Sequence, residues 1–245
     1  MPHRSGLSYV GPIEPVRSTR LANWRYEQVV RADSPAGYWR LGERAGTSAI
    51  DLVAANTGTY SGTYTLGAPG GVNDGDGAFA ISTAAYGKMT AAAIATGASV
   101  WSIEAWINPA ALPNTNDSPA VINGTSAVGY GFAVNNGGGT AGSKLAILRA
   151  GIAWFDTGYT FPSASQWYHV VVTRDGTTAV GYVNAVAAPN TTIAAFNAPA
   201  TSTLVGTYDV TARFNGTVDE LAIYAYALSP AQILNHYRAG IRRDY

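Results

Sequence analysis

WSIEAWIN (101–108) and QWYHVVVTRDGTTAVGYVN (166–184) are the stretches whose reading decides the fold. In the first, Trp101, Ile103, Ala105 and Ile107 fall on one side of an extended chain, and Ser102, Glu104 and Trp106 on the other. Successive side chains of a strand point to opposite faces, so a period of two marks a strand, not a helix. The second stretch is a β-branched and aromatic run that reaches Asp175-Gly176 and resumes at once, the pattern of a hairpin with a tight turn. Shorter runs of the same kind lie on either side. They are AGYWRLGE (36–43), segments near 57–66 and 78–89, AVINGT (120–125), YGFAVNN (130–136), KLAILRA (144–150), IAWFD (152–156), STLVGTY (202–208) and FNGTVDELAIYAY (214–226). Many short strands without alternating helices predict an all-β sandwich or barrel and exclude an α/β fold.

Two helices frame the strands. RYEQVVRA (25–32) predicts a short one that ends before Asp33-Ser34-Pro35, because proline disfavours the helical region at the residue before it. Near the C-terminus, Ser229 as N-cap, Pro230 at the first helical position and Gln232 at the third form a capping box. Leu228 can staple to Ile233, the stripe Ile233, Leu234 and Tyr237 faces the sandwich, and Gly240 is the expected stop. The predicted organisation is an extended arm over 1–24, a sandwich over 25–240 and a basic tail over 241–245. Pro2, Gly6, Gly11 and Pro12 keep the arm out of helices and central strands.

The 245 residues are 47% hydrophobic, enough for a sizeable core, and only 12% charged. Net charge is zero, but residues 1–44 hold seven arginines against four acids and 238–245 three against one. Both ends are therefore basic, the pattern of interaction tails. There is no cysteine, so no disulfide framework and no thiolate metal site. His3, His169 and His236 stand far apart, without metal-ligand spacing. No apolar run is long enough to cross a bilayer, so membrane insertion is not expected. The first twenty residues lack the apolar core of an export signal. No dense basic patch interleaves with aromatics, which argues against nucleic acid.

Three segments resemble one family. YWRLGE (38–43) resembles the opening strand of laminin G-like domains in the concanavalin A-like jelly-roll superfamily. WSIEAWINP (101–109) resembles that family's W/F-T-I-E-A-W strand. The hairpin 166–184 and GTVDELAIYAYALSPAQILNHY (216–237) resemble its W-x-H-V…D-G hairpin and its terminal signature. The resemblance narrows the fold to a two-sheet antiparallel jelly-roll sandwich with an N-terminal arm and a short C-terminal helix. It also implies a setting, since such modules occur in bacteriophage virions. The expected role is a non-enzymatic virion structural protein, a capsid decoration or tail-associated module. It would be anchored to capsid or tail proteins in a symmetric oligomeric assembly and adhere weakly to a cell-surface glycan. The alternative is a stand-alone carbohydrate-binding module or lectin.

Candidate sites follow from this. The expected anchoring residues are Arg4, Tyr9, Arg17, Arg20, Trp24, Arg25, Arg242 and Arg243, types enriched at interfaces. For a glycan, the aromatics Trp106, Tyr130, Trp154, Phe155 and Tyr159 are candidates for ring stacking. Trp154 and Tyr159 are the named choice, with Asn135, Asn136 and Asn114 as hydrogen-bonding amides. The family's calcium site suggests Asp74, Asp76 and Asp219, although the two former also suit turns in NDGDG. Catalysis is not expected. Glycoside hydrolysis needs two carboxyl groups flanking one bond, and Glu104 stands alone on its strand, where a cross-strand Arg, Lys or Thr is the expected partner. Asp219 and Glu220 are adjacent, so on a regular strand they point to opposite faces. His169 is expected to be structural.

Overall fold

The computed structural model describes residues 26–81, 87–112, 118–135, 143–207 and 212–241. Helix α1 (Tyr26–Ala32) comes first. The next strands are β1 (Gly37–Trp39), β2 (Ser48–Ala49), β3 (Gly58–Ser61), β4 (Tyr64–Pro69), β5 (Gly77–Ile81) and β6 (Lys88–Ala92). The middle of the chain forms β7 (Val100–Pro109), β8 (Pro119–Gly124), β9 (Gly129–Val134), β10 (Lys144–Arg149) and β11 (Ala153–Thr160). Strands β12 (Tyr168–Asp175), β13 (Ala179–Val183), β14 (Val186–Thr192), β15 (Ser202–Val205) and β16 (Gly216–Tyr224) precede helix α2 (Pro230–Ile241).

These strands make two eight-stranded antiparallel sheets. One runs β14-β13-β12-β7-β16-β5-β4, and the other β11-β10-β9-β8-β15-β6-β3-β2. In the first sheet β16 pairs with β7 along one edge, and its other edge is divided: β5 takes Gly216–Val218 and β1 takes Leu221–Ile223. The strands form an all-β sandwich, one of the two architectures expected from the alternation, and it is the jelly-roll sandwich that the resemblance implied.

The face of β7 that reads as apolar enters the space between the sheets. Trp101, Ile103, Ala105 and Ile107 are all fully buried there, with Val170 and Val172 from β12 and Leu221 and Ile223 from β16. Trp101 stacks on Tyr130 with ring centroids 3.6 Å apart and planes 2° from parallel. The Asp175-Gly176 turn forms as expected: Gly176 has a φ of 105°, and Asp175 Oδ1 accepts the Thr177 and Thr178 N–H groups. A second tight turn, at Asn184-Ala185, joins β13 to β14, and both residues take positive φ.

The two helices cover the outer face of the first sheet. There Tyr26, Val30, Trp106, Val171, Tyr224, Leu228 and Ile233 form a second, smaller core. The Ser229 cap forms, with Oγ accepting the Gln232 N–H at 3.3 Å and Gln232 Oε1 accepting the Ser229 N–H at 2.9 Å. The expected stop at Gly240 is a correction. The helix runs through Gly240 to Ile241, and the glycine is there because the Trp106 ring lies against it. A Cβ on Gly240 would come within 2.2 Å of Trp106 Cζ2.

Candidate functional site

The outer face holds a buried polar network built on Glu104. Its carboxylate accepts from the Tyr224 hydroxyl at 2.6 Å, His169 Nε2 at 3.1 Å and His236 Nδ1 at 3.0 Å. The expected Arg, Lys or Thr partner is thus replaced by two histidines and a tyrosine, brought together by strands β12 and β16 and helix α2. His236 Nε2 meets Asp33 Oδ2 at 2.9 Å. Both its nitrogens face carboxylates, which only accept, so both carry hydrogen and the ring is an imidazolium. The two carboxylates raise its pKa from 6.5 to about 9 against the opposing cost of burial. His169 differs. Burial lowers its pKa, its Nδ1 has no partner, and it is neutral with hydrogen on Nε2. The histidine pair holds Glu104 far below the ordinary carboxylate range despite its burial. His169 is fully buried, held between Glu104 and the strand core.

Beside this network a cleft of about 650 Å³ opens between α2 and the loop 70–73. Its walls are the aromatic side chains of Trp106, Trp167 and Tyr237, the amides of Asn73 and Asn184, and the Gly70-Gly71 backbone, with Val72, Gly240 and Ile241 completing it. Trp106 forms the base, 2% exposed, its ring stacked 6.0 Å from that of Tyr237. Trp167 and Tyr237 remain half-buried. Local sequence places each part. Trp167 immediately precedes β12, two residues before His169, and so lies on the same parity as the outer face. Asn184 owes its position to the tight turn, and its Oδ1 accepts the His169 N–H at 2.9 Å. Gly71 must be glycine, since a Cβ there would meet Trp167 at 2.8 Å and Trp106 at 3.0 Å. Its N–H donates to Asp219 Oδ2 at 2.7 Å, which ties the loop to β16.

Asp219 and Glu220 correct the expectation of opposite faces. A β-bulge interrupts the pairing of β16 with β7 between Asp219 and Ala222, and Glu220 takes a φ of 55°. The extra residue sends both carboxyls to the outer side. The bulge sits where β5 gives way to β1 along the edge of β16. Arg40 follows β1 and Asp74 and Asp76 precede β5, so all converge there. Burial pushes both bulge carboxyls upward from their usual range, and their mutual repulsion adds to it for Glu220. Asp219 Oδ1 has no partner, whereas Glu220 accepts from Tyr38 and Arg40. Asp219 is therefore the one suited to keep its proton.

The three calcium candidates separate. Asp74 Oδ1 accepts the Asp76 N–H and Asp76 Oδ1 the Gly77 N–H, so both serve the turn. Asp219 serves the Gly71 backbone. One oxygen each from Asp74, Asp76 and Glu220 lie within 4.8 Å of one another, but the Arg40 guanidinium bonds all three. Calcium requires six to eight oxygens, and the donor set here, already spent on a cation, does not fit it.

The aromatic candidates also scatter. Trp106 and Tyr130 are buried. Trp154 packs with Ile122, Leu148 and Leu204 on the outer face of the second sheet, whereas Tyr159 packs on the inter-sheet core, so the two do not share a surface. Asn135 is buried with a φ of 72° at the end of β9. Asn114 and Asn136 lie outside the described residues, as do Arg4, Tyr9, Arg17, Arg20, Trp24, Arg25, Arg242 and Arg243.

A laminin G-like profile of the concanavalin A-like lectin/glucanases superfamily matches residues 82–234. The chain belongs to that superfamily. No curated protein matches at the level of sequence. Among solved structures, the laminin G-like sandwich is similar to domain 4 of AbnA, a GH43 extracellular arabinanase from Geobacillus stearothermophilus, in complex with arabinotriose. The TM-score is 0.59 at 19% identity, over 83% of this chain and 98% of that one. It is also similar to Trypanosoma rangeli sialidase, with TM-score 0.60 at 15% identity, 84% of this chain and 33% of that one. The binding domain of botulinum neurotoxin DC in complex with SialylT gives 0.59 at 11%, 84% of this chain and 52% of that one. The chain thus spans a third of the sialidase and about half of the toxin domain; these likenesses concern the fold.

Proposed function

We propose that this laminin G-like sandwich is a non-catalytic carbohydrate-binding module that takes a neutral sugar in the cleft beneath α2. The observation that carries the reading is the lining itself. Three aromatic side chains, two amides and a diglycine backbone converge, and among the described residues no charged side chain lines the cleft. Half-buried rings such as Trp167 and Tyr237 offer apolar faces to a sugar ring, while the Asn73 and Asn184 amides match its hydroxyls. The fold neighbours in complex with arabinotriose and SialylT are in keeping with this use of the fold. Among the described residues the cleft walls carry no carboxylate, whereas glycoside hydrolysis needs a pair of them; Asp219 lies behind the Gly71 peptide, engaged by its N–H. The test is calorimetric titration with neutral oligosaccharides, arabinotriose first. Trp167→Ala should abolish binding and Trp154→Ala should leave it intact; the reverse pattern rejects the cleft.

A second reading is attachment to a larger particle, the virion role, through residues 1–24 and the basic C-terminal tail. One observation favours it. The Tyr26 ring is 6.1 Å from that of Trp106, and Gly240 packs on the same ring. Tyr26 and Gly240, close to the two ends of the described residues, therefore both lie against one ring at the base of the cleft. The two readings make opposite demands, because a docked face would cover the cleft. Deleting residues 1–24 should leave melting and sugar binding unchanged and abolish incorporation into particles; normal incorporation rejects the anchoring role.

A further inference from the structure

Arg40 sits where the four acidic side chains of Glu27, Asp74, Asp76 and Glu220 meet on the outer face. Its Nε donates to Glu220 Oε1 at 3.1 Å, one terminal nitrogen reaches Asp76 Oδ2 at 2.8 Å and also bonds Asp74, and the other lies 3.6 Å from Glu27 Oε2. The backbone fixes the arginine as well: its carbonyl accepts the Glu220 N–H at 3.1 Å. Gly42 makes room for the arrangement. A Cβ there would come within 1.9 Å of Asp76 Oδ1, so a side chain at 42 would displace the carboxylate. Glu220 itself reaches the cluster only because the bulge turns it outward. Each part is built in, from four separate stretches of chain.

We infer that Arg40 is a resident cation that takes the place of a metal ion, and that this sandwich therefore neither needs nor binds calcium at Asp74, Asp76 and Glu220. A guanidinium suits the task. Its planar fork presents five donors to several carboxylates at once, and it cannot be deprotonated. The side chain is 22% exposed, so the charges are not fully removed from water, and the cost of burying them is reduced accordingly. Where a metal ion would come and go with its concentration, the arginine fixes the junction of β1, β5 and β16 permanently. The same junction holds the 70–76 loop, one wall of the cleft, so the wall is set without an external ion.

The test uses the full chain and calcium alone. Thermal melting and calorimetric titration of the wild type should be the same in millimolar calcium chloride and in EDTA. Arg40→Gln removes the charge and leaves the carboxylates facing one another. That variant should melt lower in EDTA and recover in calcium, with a dissociation constant of about 10⁻⁴–10⁻³ M, the range of weak oxygen-ligand sites. Calcium-dependent melting or calcium binding by the wild type overturns the inference whether or not the variant folds. A folded Arg40→Gln that calcium does not stabilise overturns the claim that the arginine holds a metal's place.

Discussion

The two faces of strand β7 alternate residue by residue, yet they are held by different forces. The inward face, Trp101 to Ile107, is apolar throughout and fully buried, and it is fixed by volume. The outward face carries Ser102, Glu104 and Trp106, and each is fixed by particular partners. Ser102 Oγ donates to the Tyr226 carbonyl and accepts the Leu228 N–H. Glu104 gathers two histidines, and Trp106 takes Gly240 against its ring. The difference teaches that a core face tolerates any set of side chains that fill the space, whereas the covered outer face depends on particular meetings between residues 65 or more positions apart.

Substitutions on each face sharpen that contrast. Trp101→Ala should have the largest effect, a loss of about 3–5 kcal/mol by urea denaturation, since it leaves a large cavity and strands Tyr130. His236→Ala should cost about 3 kcal/mol, because it leaves Glu104 buried with its charge uncompensated. It should also change the pH profile. The folded pKa of His236 is raised from 6.5 to about 9, so its stabilisation is complete below pH 6.5 and is lost as pH rises through 9. Glu104 is shifted the other way, below its ordinary 4.5, so its contribution is present above that pH and is lost on acidification. The wild-type melting temperature should fall on both sides of that interval, and the alkaline limb should vanish in His236→Ala. An unchanged limb would break the contrast, since His236 would then be held by packing alone. Gly240→Ala should cost about 1–3 kcal/mol by forcing Trp106 aside. Ser229→Ala, which removes only the α2 cap, should cost about 1 kcal/mol.

The same contrast explains what the sequence revealed. The inward positions of β7, β12 and β16 were legible because period-two alternation is local and needs no knowledge of partners. The capping box at Ser229 and the Asp175-Gly176 turn were legible for the same reason. The Glu104 network was not, because nothing in the spacing of His169 and His236 shows that a helix returns over a strand. Asp219 and Glu220 were misread because a bulge breaks the alternation that the reading assumed. Trp167, Asn184 and Tyr237 were in plain view within the resembled motifs. Trp167, just before β12, continues its outward parity, a signal that could have marked it, but only the topology brings it to Tyr237 and the diglycine loop. Gly240 was misjudged for a related reason: a glycine near a helix end reads as a stop unless the ring that packs on it is known.

The central claim, that the cleft beneath α2 is where a sugar binds, can be tested most directly through the indole N–H signals of the six tryptophans, followed by nuclear magnetic resonance during titration with arabinotriose. The account predicts that the Trp167 and Trp106 signals, assigned by substitution, move together and saturate while the Trp154 signal stays fixed. Movement of Trp154 with Trp167 and Trp106 unchanged, or no movement of any signal for any neutral oligosaccharide, would contradict it.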